Sequence, residues 1–179
     1  MFGSCAKNDG TLDGDGDITL TDLPGTIYYD WATEGILKVS LPDATGGAFI
    51  PDNAKLNSFD VSRDGRERLT VIDESTLGSY PIRFTLSNMA DNGIIDEFVY
   101  RSPGLNRYCK GYLSPDKSHI LVTSNEEEDG ITILTRTGEL VTRIIDINGE
   151  RFDINETRLW LPGNSILITH KNLIIKLDP

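Results

Sequence analysis

The amino-terminal part of the sequence holds the side chains best suited to bind a metal ion. Residues 11–22 contain four closely spaced carboxylates, which are Asp13, Asp15, Asp17 and Asp22. Ca²⁺ takes several hard oxygen ligands that converge on one point, and a glycine such as Gly16 permits the sharp turn that this convergence needs. One interpretation of the segment is therefore a Ca²⁺ site.

The same segment resembles half of the calcium-binding loop of EF-hand and dockerin proteins. Aligned on that loop, Asp13 takes the third position and Asp22 the twelfth, whereas Thr11 stands at the first, where the loop has Asp. Pro24 follows too closely for a flanking helix, because proline lacks the N–H that a helix interior needs. The competing interpretation is that residues 1–17 form a flexible acidic linker and that the protein binds no cofactor.

Residues suited to nucleophilic or acid–base catalysis are few and scattered. His119 and His170 are the only histidines, and each falls at the end of a predicted strand. Cys109 has no histidine near it in sequence, and the chain lacks the Gly-x-Ser-x-Gly, His-Glu-x-x-His and phosphate-binding glycine motifs. Carboxylates are abundant, so a catalytic acid pair stays open as an alternative, although no spacing singles one out. The sequence favours a protein that is not an enzyme.

Cys5 lies in a context suited to lipid attachment. Phe2-Gly3-Ser4-Cys5 resembles the end of a bacterial lipoprotein signal, in which small residues precede a lipidated cysteine and a polar linker follows. Phe2 stands where such signals usually have Leu, and the charged and apolar regions of a signal are absent. The resemblance implies a lipid anchor at Cys5 and an extracytoplasmic location, in the periplasm or on the outer membrane. The alternative is an ordinary exposed cysteine in a polar tail.

Two further groups of side chains each have two interpretations. Residues 126–129 carry four like charges, which repel one another and predict an exposed hairpin tip, with a cation or basic partner as the alternative. Tyr112 and Trp160 occupy similar places in strands that precede tight turns. They are predicted to pack in a core or to line a central channel, and the alternative is a platform for a ligand.

The elements that must position these residues are short β-strands. Apolar runs rich in β-branched and aromatic residues are separated by turn residues, and no helical period is sustained. The predicted strands include residues 27–29, 36–41, 69–72, 82–86, 120–122, 131–134 and 166–169. The sequence therefore predicts an all-β protein.

Four segments repeat one design, in which a strand, a tight turn and a second strand follow one another. Pro24, Arg63, Pro115 and Pro162 mark the turns, and their spacings are 39, 52 and 47 residues. Proline fixes φ early in a turn, and Asp, Gly and Asn accept the positions that follow. A third strand follows in each unit and a fourth in three of them, including residues 140–147. A period near 40 to 50 with four antiparallel strands is typical of β-propeller blades.

The third repeat identifies the kind of propeller. Tyr112-Leu113-Ser114-Pro115-Asp116-Lys117-Ser118-His119-Ile120 resembles the Ser-Pro-Asp-Gly-Lys-x-Ile core of TolB-like and WD40-like (PD40-type) repeats, and residues 61–66 form a second copy with Arg63 in place of Pro. Lys117 stands where Gly is typical. Trp31 and Trp160 are not followed by Asp, which favours the TolB-like label. A two-sheet β-sandwich is the alternative architecture.

The resemblance divides residues 18–179 into about four four-stranded units, with approximate limits of 18–51, 57–101, 108–147 and 153–179. The last unit lacks a fourth strand, and a propeller normally closes by pairing strands from its two ends within one blade. The chain is therefore expected to be the amino-terminal part of a larger propeller or lipoprotein. The alternative is a four-bladed ring closed by residues 17–21.

The overall charge limits the partners. Lys and Arg number 17 against 28 Asp and Glu, a net charge of −11, which repels nucleic acid. No apolar run approaches the roughly 18 residues that span a bilayer. The expected function is a non-enzymatic propeller module that binds a protein or small ligand through loops or a central channel. The alternative is a fragment of a propeller hydrolase or lyase whose active site other blades complete.

Overall fold

The computed structural model describes residues 25–31, 33–41, 43–124, 129–152, 158–171 and 173–178. The elements whose bounds lie within these residues are all β-strands, which confirms the all-β prediction. The chain divides into two compact units, Met1–Ala54 and Lys55–Pro179. Cys5 and the four candidate calcium ligands, Asp13, Asp15, Asp17 and Asp22, lie outside the described residues.

The first unit contains one antiparallel sheet of three described strands. Its strands are β1 (Gly25–Trp31), β2 (Gly35–Leu41) and β3 (Thr45–Pro51), in the order β1-β2-β3. The register pairs Tyr28 with Lys38 across β1 and β2. The ring of Tyr28 also lies 4.7 Å from that of Phe49 on β3, so aromatic contact joins the outer strands over one face of this sheet.

The second unit contains three larger sheets in succession. The second sheet has four strands in chain order: β4 (Leu56–Val61), β5 (Glu67–Asp73), β6 (Ile82–Asn88) and β7 (Ile94–Tyr100). The third sheet also has four: β8 (Lys110–Leu113), β9 (His119–Thr123), β10 (Ile131–Thr135) and β11 (Leu140–Ile144). The fourth sheet follows a small hairpin, β12 (Asp146–Ile147) with β13 (Glu150–Arg151), and has three described strands: β14 (Arg158–Trp160), β15 (Ile166–His170) and β16 (Leu173–Leu177).

The last strand of the third sheet is shorter than the predicted strand 140–147. It ends at Ile144, and Asp146 pairs instead with Arg151 in the small hairpin. Asn148 and Gly149 at the hairpin tip have φ of 55° and 81°, and the Gly149 N–H donates to Asp146 Oδ1 at 3.0 Å. A local Asn-Gly turn therefore takes the residues that the apolar pattern assigned to one continuous strand.

Each face of the third sheet packs against a different neighbour. The cluster shared by the second and third sheets consists of Leu69, Val71, Ile82, Phe84, Leu86, Tyr100, Cys109, Leu113, Ile120, Val122 and Leu134. The cluster on the other face consists of Leu121, Ile131, Ile133, Phe152, Ile166 and Ile168. Ile120 and Leu121 enter different clusters because successive side chains of a strand point to opposite sides. A two-sheet sandwich buries one face of each sheet, so the sandwich alternative is wrong.

The turns between the first two strands of these sheets share one hydrogen bond and a fourth residue with positive φ. In each turn, the N–H of the fourth residue donates to the carbonyl of the first: Gly65 to Ser62, Lys117 to Ser114 and Asn164 to Leu161. The three donor residues have φ of 68°, 65° and 64°. The four-residue turn signal of the sequence therefore corresponds to a repeated hydrogen-bonded turn, and the last turn differs from the other two because Gly163 also has positive φ, of 85°.

Candidate functional site

The first strands of the second and third sheets lie side by side and are joined by side-chain hydrogen bonds. The N–H of Gly111 on β8 donates to Ser58 Oγ on β4 at 3.0 Å. The N–H of Leu113 donates to Asp60 Oδ2 at 2.7 Å. Because β4 and β8 belong to different sheets, no backbone hydrogen bonds of a sheet join them. The side chains of Ser58 and Asp60 on β4 accept these two N–H groups of β8 instead.

A similar bond joins the third and fourth sheets. The Trp160 indole Nε1–H on β14 donates to the carbonyl of Tyr112 on β8 at 3.0 Å. Tyr112 and Trp160 also belong with the partly buried residues around the cluster between these sheets. The first strands of three consecutive sheets are thus linked, which is the arrangement of the inner strands of propeller blades. We refer to β4, β8 and β14 as the inner strands.

A cleft of about 290 Å³ opens where the inner strands end and their turns begin. It is lined by Asp60, Val61, Arg63, Tyr112, Leu113, Ser114, Pro115, Leu159, Trp160 and Pro162. The structure thus brings together Tyr112 and Trp160, the two aromatic residues singled out in the sequence. Aromatic, aliphatic and proline walls with a few polar groups are typical of sites that bind ligands.

Asp60 is the half-buried acid of the cleft. One carboxylate oxygen accepts the N–H of Val61 at 2.9 Å, and the other accepts the N–H of Leu113. Burial raises the pKa of Asp60 above its ordinary value and outweighs these two hydrogen bonds, which lower it. Asp60 was not among the site residues predicted from the sequence, although a carboxylate inside a strand beside apolar residues is the signal that could have marked it.

Arg63 carries the positive charge of the cleft. It occupies the turn position that Pro115 and Pro162 hold in the next two blades, and its side chain is exposed. Within the described part of the chain, the Arg63 guanidinium makes no hydrogen bond or ion pair. In the sequence, Arg63 stands where the repeat has proline. This difference is the signal that could have marked Arg63 as a functional candidate.

The turns at the rim of the cleft are joined from blade to blade. Lys117 Nζ donates to Asp64 Oδ2 at 2.9 Å and lies 3.0 Å from Glu67 Oε1. In the next turn, Asn164 Nδ2 donates to Asp116 Oδ2 at 2.5 Å. The fourth residue of one turn therefore contacts the aspartate of the preceding turn. These contacts hold together the turns that form the rim of the cleft, including the turn that carries Arg63.

The two rim aspartates are held in their ionised form. Hydrogen bonds from Ser62, Lys117 and the N–H of Arg66 lower the pKa of Asp64 well below its ordinary value. Burial raises the pKa of Asp116, but hydrogen bonds from Ser114, Ser118 and Asn164 outweigh it, and the net direction is also strongly downward.

The histidines lie away from the cleft, at strand ends as predicted. His119 Nδ1 lies 2.6 Å from Ser118 Oγ, and that hydroxyl donates to Asp116 Oδ1 at 2.7 Å. Because an ionised carboxylate only accepts, Ser118 has no second proton to give and Nδ1 must be the donor. His119 is therefore not placed as a general base for Ser118. His170 is only 4% exposed, and its ring lies 5.6 Å from that of Phe152.

Cys109 is a buried, free thiol immediately before β8. Burial, followed by the charges of Asp129 and Asp73, raises the pKa of the thiol to about 12. The thiolate is the reactive form of cysteine, so this residue is chemically inert in the folded protein.

Asp129 corrects one prediction. The acidic run 126–129 was expected to be exposed, but Asp129 is only 4% exposed, and residues 126–128 lie outside the described ranges. Its carboxylate accepts hydrogen bonds from the Ser102 hydroxyl at 2.5 Å, the Ser124 hydroxyl at 2.7 Å and the Gly104 N–H at 3.0 Å. These donors, which the run itself does not reveal, compensate the cost of burying its charge.

The described residues include no group of three or more His, Cys, Asp or Glu side chains placed to hold a metal ion. They also include no helix with the length and apolar character needed to cross a bilayer.

Comparison with solved structures identifies distant similarity in fold. Hydrazine synthase of Kuenenia stuttgartiensis is 16% identical, with a TM-score of 0.58, over 86% of this chain and 49% of that one. TolB from Acinetobacter baumannii is 16% identical, with a TM-score of 0.46, over 80% of this chain and 37% of that one. This chain thus spans about half or less of the length of either. No protein-family model matches the sequence, and no curated protein shows significant sequence similarity to it.

At these identities the similarity concerns the fold alone. The similarity to hydrazine synthase agrees with the antiparallel sheets in chain order, the third sheet buried on both faces and the linked inner strands. The chain is an all-β protein whose antiparallel sheets of three and four strands have the architecture of β-propeller blades.

Proposed function

We propose that this chain is a non-enzymatic β-propeller module that binds a protein or small ligand through the cleft at the ends of its inner strands. The observation that carries the proposal is the cleft of about 290 Å³ whose walls come from three consecutive sheets. Hydrogen bonds between those sheets hold its walls in place before any ligand arrives. Such preorganisation reduces the entropy lost on binding.

The chemistry of the walls supports binding rather than turnover. Tyr112 and Trp160 offer large apolar surfaces with polar edges, and Pro115 and Pro162 add rigid apolar surface. The hydroxyl of Ser114 already donates to Asp116 at 2.7 Å and accepts the N–H of His119 at 3.0 Å. It is therefore committed to the turn.

One observation favours the alternative, a fragment of a propeller hydrolase or lyase. Asp60 is a carboxyl of raised pKa in a cleft, and such groups are common among catalytic acids. Both of its oxygens accept backbone N–H groups, however, which gives it a structural role without any substrate. Turnover of a sugar or peptide substrate by the full chain, abolished by D60N, would establish the alternative.

Selection of peptides on the immobilised chain tests the proposal. A phage-displayed library is selected on the full chain, and the bound peptides are measured by calorimetry against two variants. L159S alters the cleft, where Leu159 is 39% exposed, and L77S alters a fully exposed leucine on the β5–β6 loop at the opposite end of the second sheet. We expect L159S to raise Kd at least about tenfold and L77S to leave it unchanged. Equal Kd values in the two variants would contradict the proposal.

An extracytoplasmic location, with a lipid on Cys5, is also proposed, and it rests on residues 2–5 of the sequence. Incorporation of labelled palmitate into the chain expressed in a bacterium, lost in C5S, would support it. Equal incorporation by the two forms would contradict it.

A further inference from the structure

Arg63 is the one charged group of the cleft lining that the described structure leaves uncompensated. The other charged residue of the lining is Asp60, whose oxygens both accept N–H groups. The nearby Lys117 is paired with Asp64 and Glu67. The Arg63 guanidinium has no partner among the described residues, so its five N–H donors stay available to an anion.

Apolar surface surrounds this charge. Leu159, Trp160 and Pro115 line the same cleft, and the Trp160 indole N–H is already used by the carbonyl of Tyr112. Trp160 therefore offers its ring face and edge rather than a free donor. A ligand that matches the cleft carries an apolar side chain and an anionic group close together.

A carboxylate fits the guanidinium better than other common anions in this setting, because the planar fork of arginine bonds both carboxylate oxygens. The last residue of a polypeptide presents its side chain and its carboxylate on one Cα, so a single residue supplies both the apolar group and the anion. Capture of a chain terminus by fixed donors is a recurrent mode of peptide recognition.

The openness of the cleft favours a polypeptide over a free acid. Arg63 and Pro162 are exposed and Leu159 is 39% exposed, so a small molecule bound here would keep much of its surface in water. Small-ligand sites usually bury most of their ligand. A polypeptide gains further contact along the exposed turns.

We propose that the cleft binds the C-terminal residue of a partner polypeptide, with the terminal carboxylate on Arg63 and an apolar side chain against Trp160. This inference rests on the proposed function and assigns its ligand class.

The fluorescence of Trp160 reports the binding of peptides to the cleft. Trp31 and Trp160 are the only tryptophans, so W31F leaves Trp160 as the single reporter. The probes are an acetylated alanine peptide that ends in phenylalanine with a free carboxylate, the same peptide amidated, and N-acetylphenylalanine. We expect the free-acid peptide to bind at least about tenfold more tightly than the amide, as a charge-assisted bond implies, and more tightly than N-acetylphenylalanine.

Two arginines on one turn supply the variant and its control. R63Q should abolish the difference between acid and amide, and R63K should restore part of it. R66Q removes the same charge from an exposed residue that does not line the cleft, and should preserve the difference.

The outcomes separate this inference from the proposed function. The inference would be overturned by equal affinity for the acid and amide peptides, by an unchanged affinity ratio in R63Q, or by no response to any probe. In each of these cases, selected peptides whose Kd rises in L159S would still support the proposed function. N-acetylphenylalanine binding as tightly as the peptide would overturn the polypeptide assignment.

Discussion

In the turns between the first two strands of the second, third and fourth sheets, the fourth residue has positive φ, and only in the first of these turns is that residue glycine. Gly65 has φ of 68°, whereas Lys117 and Asn164 adopt 65° and 64°. A residue with a Cβ loses roughly 1 kcal/mol in this region relative to glycine. Both side chains reach an aspartate of the preceding blade, and that contact explains their presence in place of glycine.

Substitutions of Asn164 separate the energetic cost of a Cβ at positive φ from the contribution of the hydrogen bond to Asp116. Both N164A and N164G remove the hydrogen bond to Asp116, but N164A keeps a Cβ at positive φ, whereas N164G removes that Cβ as well. We expect N164A to lower the free energy of unfolding by about 1–3 kcal/mol, and N164G to be more stable than N164A by about 1 kcal/mol. Urea titration followed by tryptophan fluorescence measures both. Equal stability of the two variants would show that the backbone contributes nothing.

The lowered pKa values of Asp64 and Asp116 predict a pH dependence of stability. A carboxylate whose pKa is lower in the folded state adds stability above its unfolded pKa of about 4, and this stability is lost as the pH falls. The urea midpoint of the wild type should therefore fall from about pH 5 downward.

The double variant D64N/D116N should show a shallower decline over the same range. E139Q, which removes an exposed carboxylate without a side-chain bond in the described structure, serves as its control. The account of the rim is wrong if the double variant and E139Q decline as steeply as the wild type.

At the scale of elements, close approach of β8 to the second sheet depends on one glycine. A Cβ at Gly111 would lie 2.7 Å from Phe84 Cε1, 3.0 Å from Val71 Cγ2 and 3.1 Å from Leu69 Cδ2. All three side chains are fully buried. The backbone of β8 therefore packs directly against side chains of the second sheet. This close approach also allows the Gly111 N–H to donate to Ser58 Oγ.

G111A should destabilise the second unit by overpacking. We expect the free energy of unfolding to fall by about 1–3 kcal/mol. G47A is the control, because no atom lies within 4 Å of the added Cβ. Thermal unfolding by calorimetry gives both values, and a G111A variant as stable as the wild type would mean that the sheets are less closely packed than described.

The sequence predicted the strands and turns because their signals are local. Apolar alternation and the turn residues at 62–65 and 114–117 depend only on neighbours in the chain. Contacts between sheets were not predictable, because Asp60 meets Leu113 and Ser102 meets Asp129 only after the blades have packed. The same reason explains the wrong prediction for Asp129, because two of its compensating donors, Ser102 and Gly104, are remote in sequence.

At the scale of the molecule, the second unit is held by two hydrophobic clusters that share the third sheet. Neither cluster belongs to one sheet alone, so each blade depends on its neighbour for its core. Cys109 lies fully buried in the cluster between the second and third sheets, so the accessibility of its thiol shows whether this cluster is intact.

Thiol labelling of a C5S variant follows the opening of this cluster, because Cys109 is then the only thiol. With a pKa raised to about 12, the buried thiol should not react with a disulfide reagent in the native protein near neutral pH. Labelling should appear only as urea unfolds the second unit, at the same midpoint as the fluorescence change. Rapid labelling without denaturant would show that the cluster opens locally.

The inner strands of consecutive blades lie side by side, and the Trp160 indole proton tests this packing directly. In ¹⁵N-labelled W31F protein, a single indole signal should appear, and its exchange with D₂O should be slow because Nε1–H donates to the Tyr112 carbonyl. An indole proton that exchanges as fast as free tryptophan would contradict the packing of β14 beside β8 and remove the cleft with it.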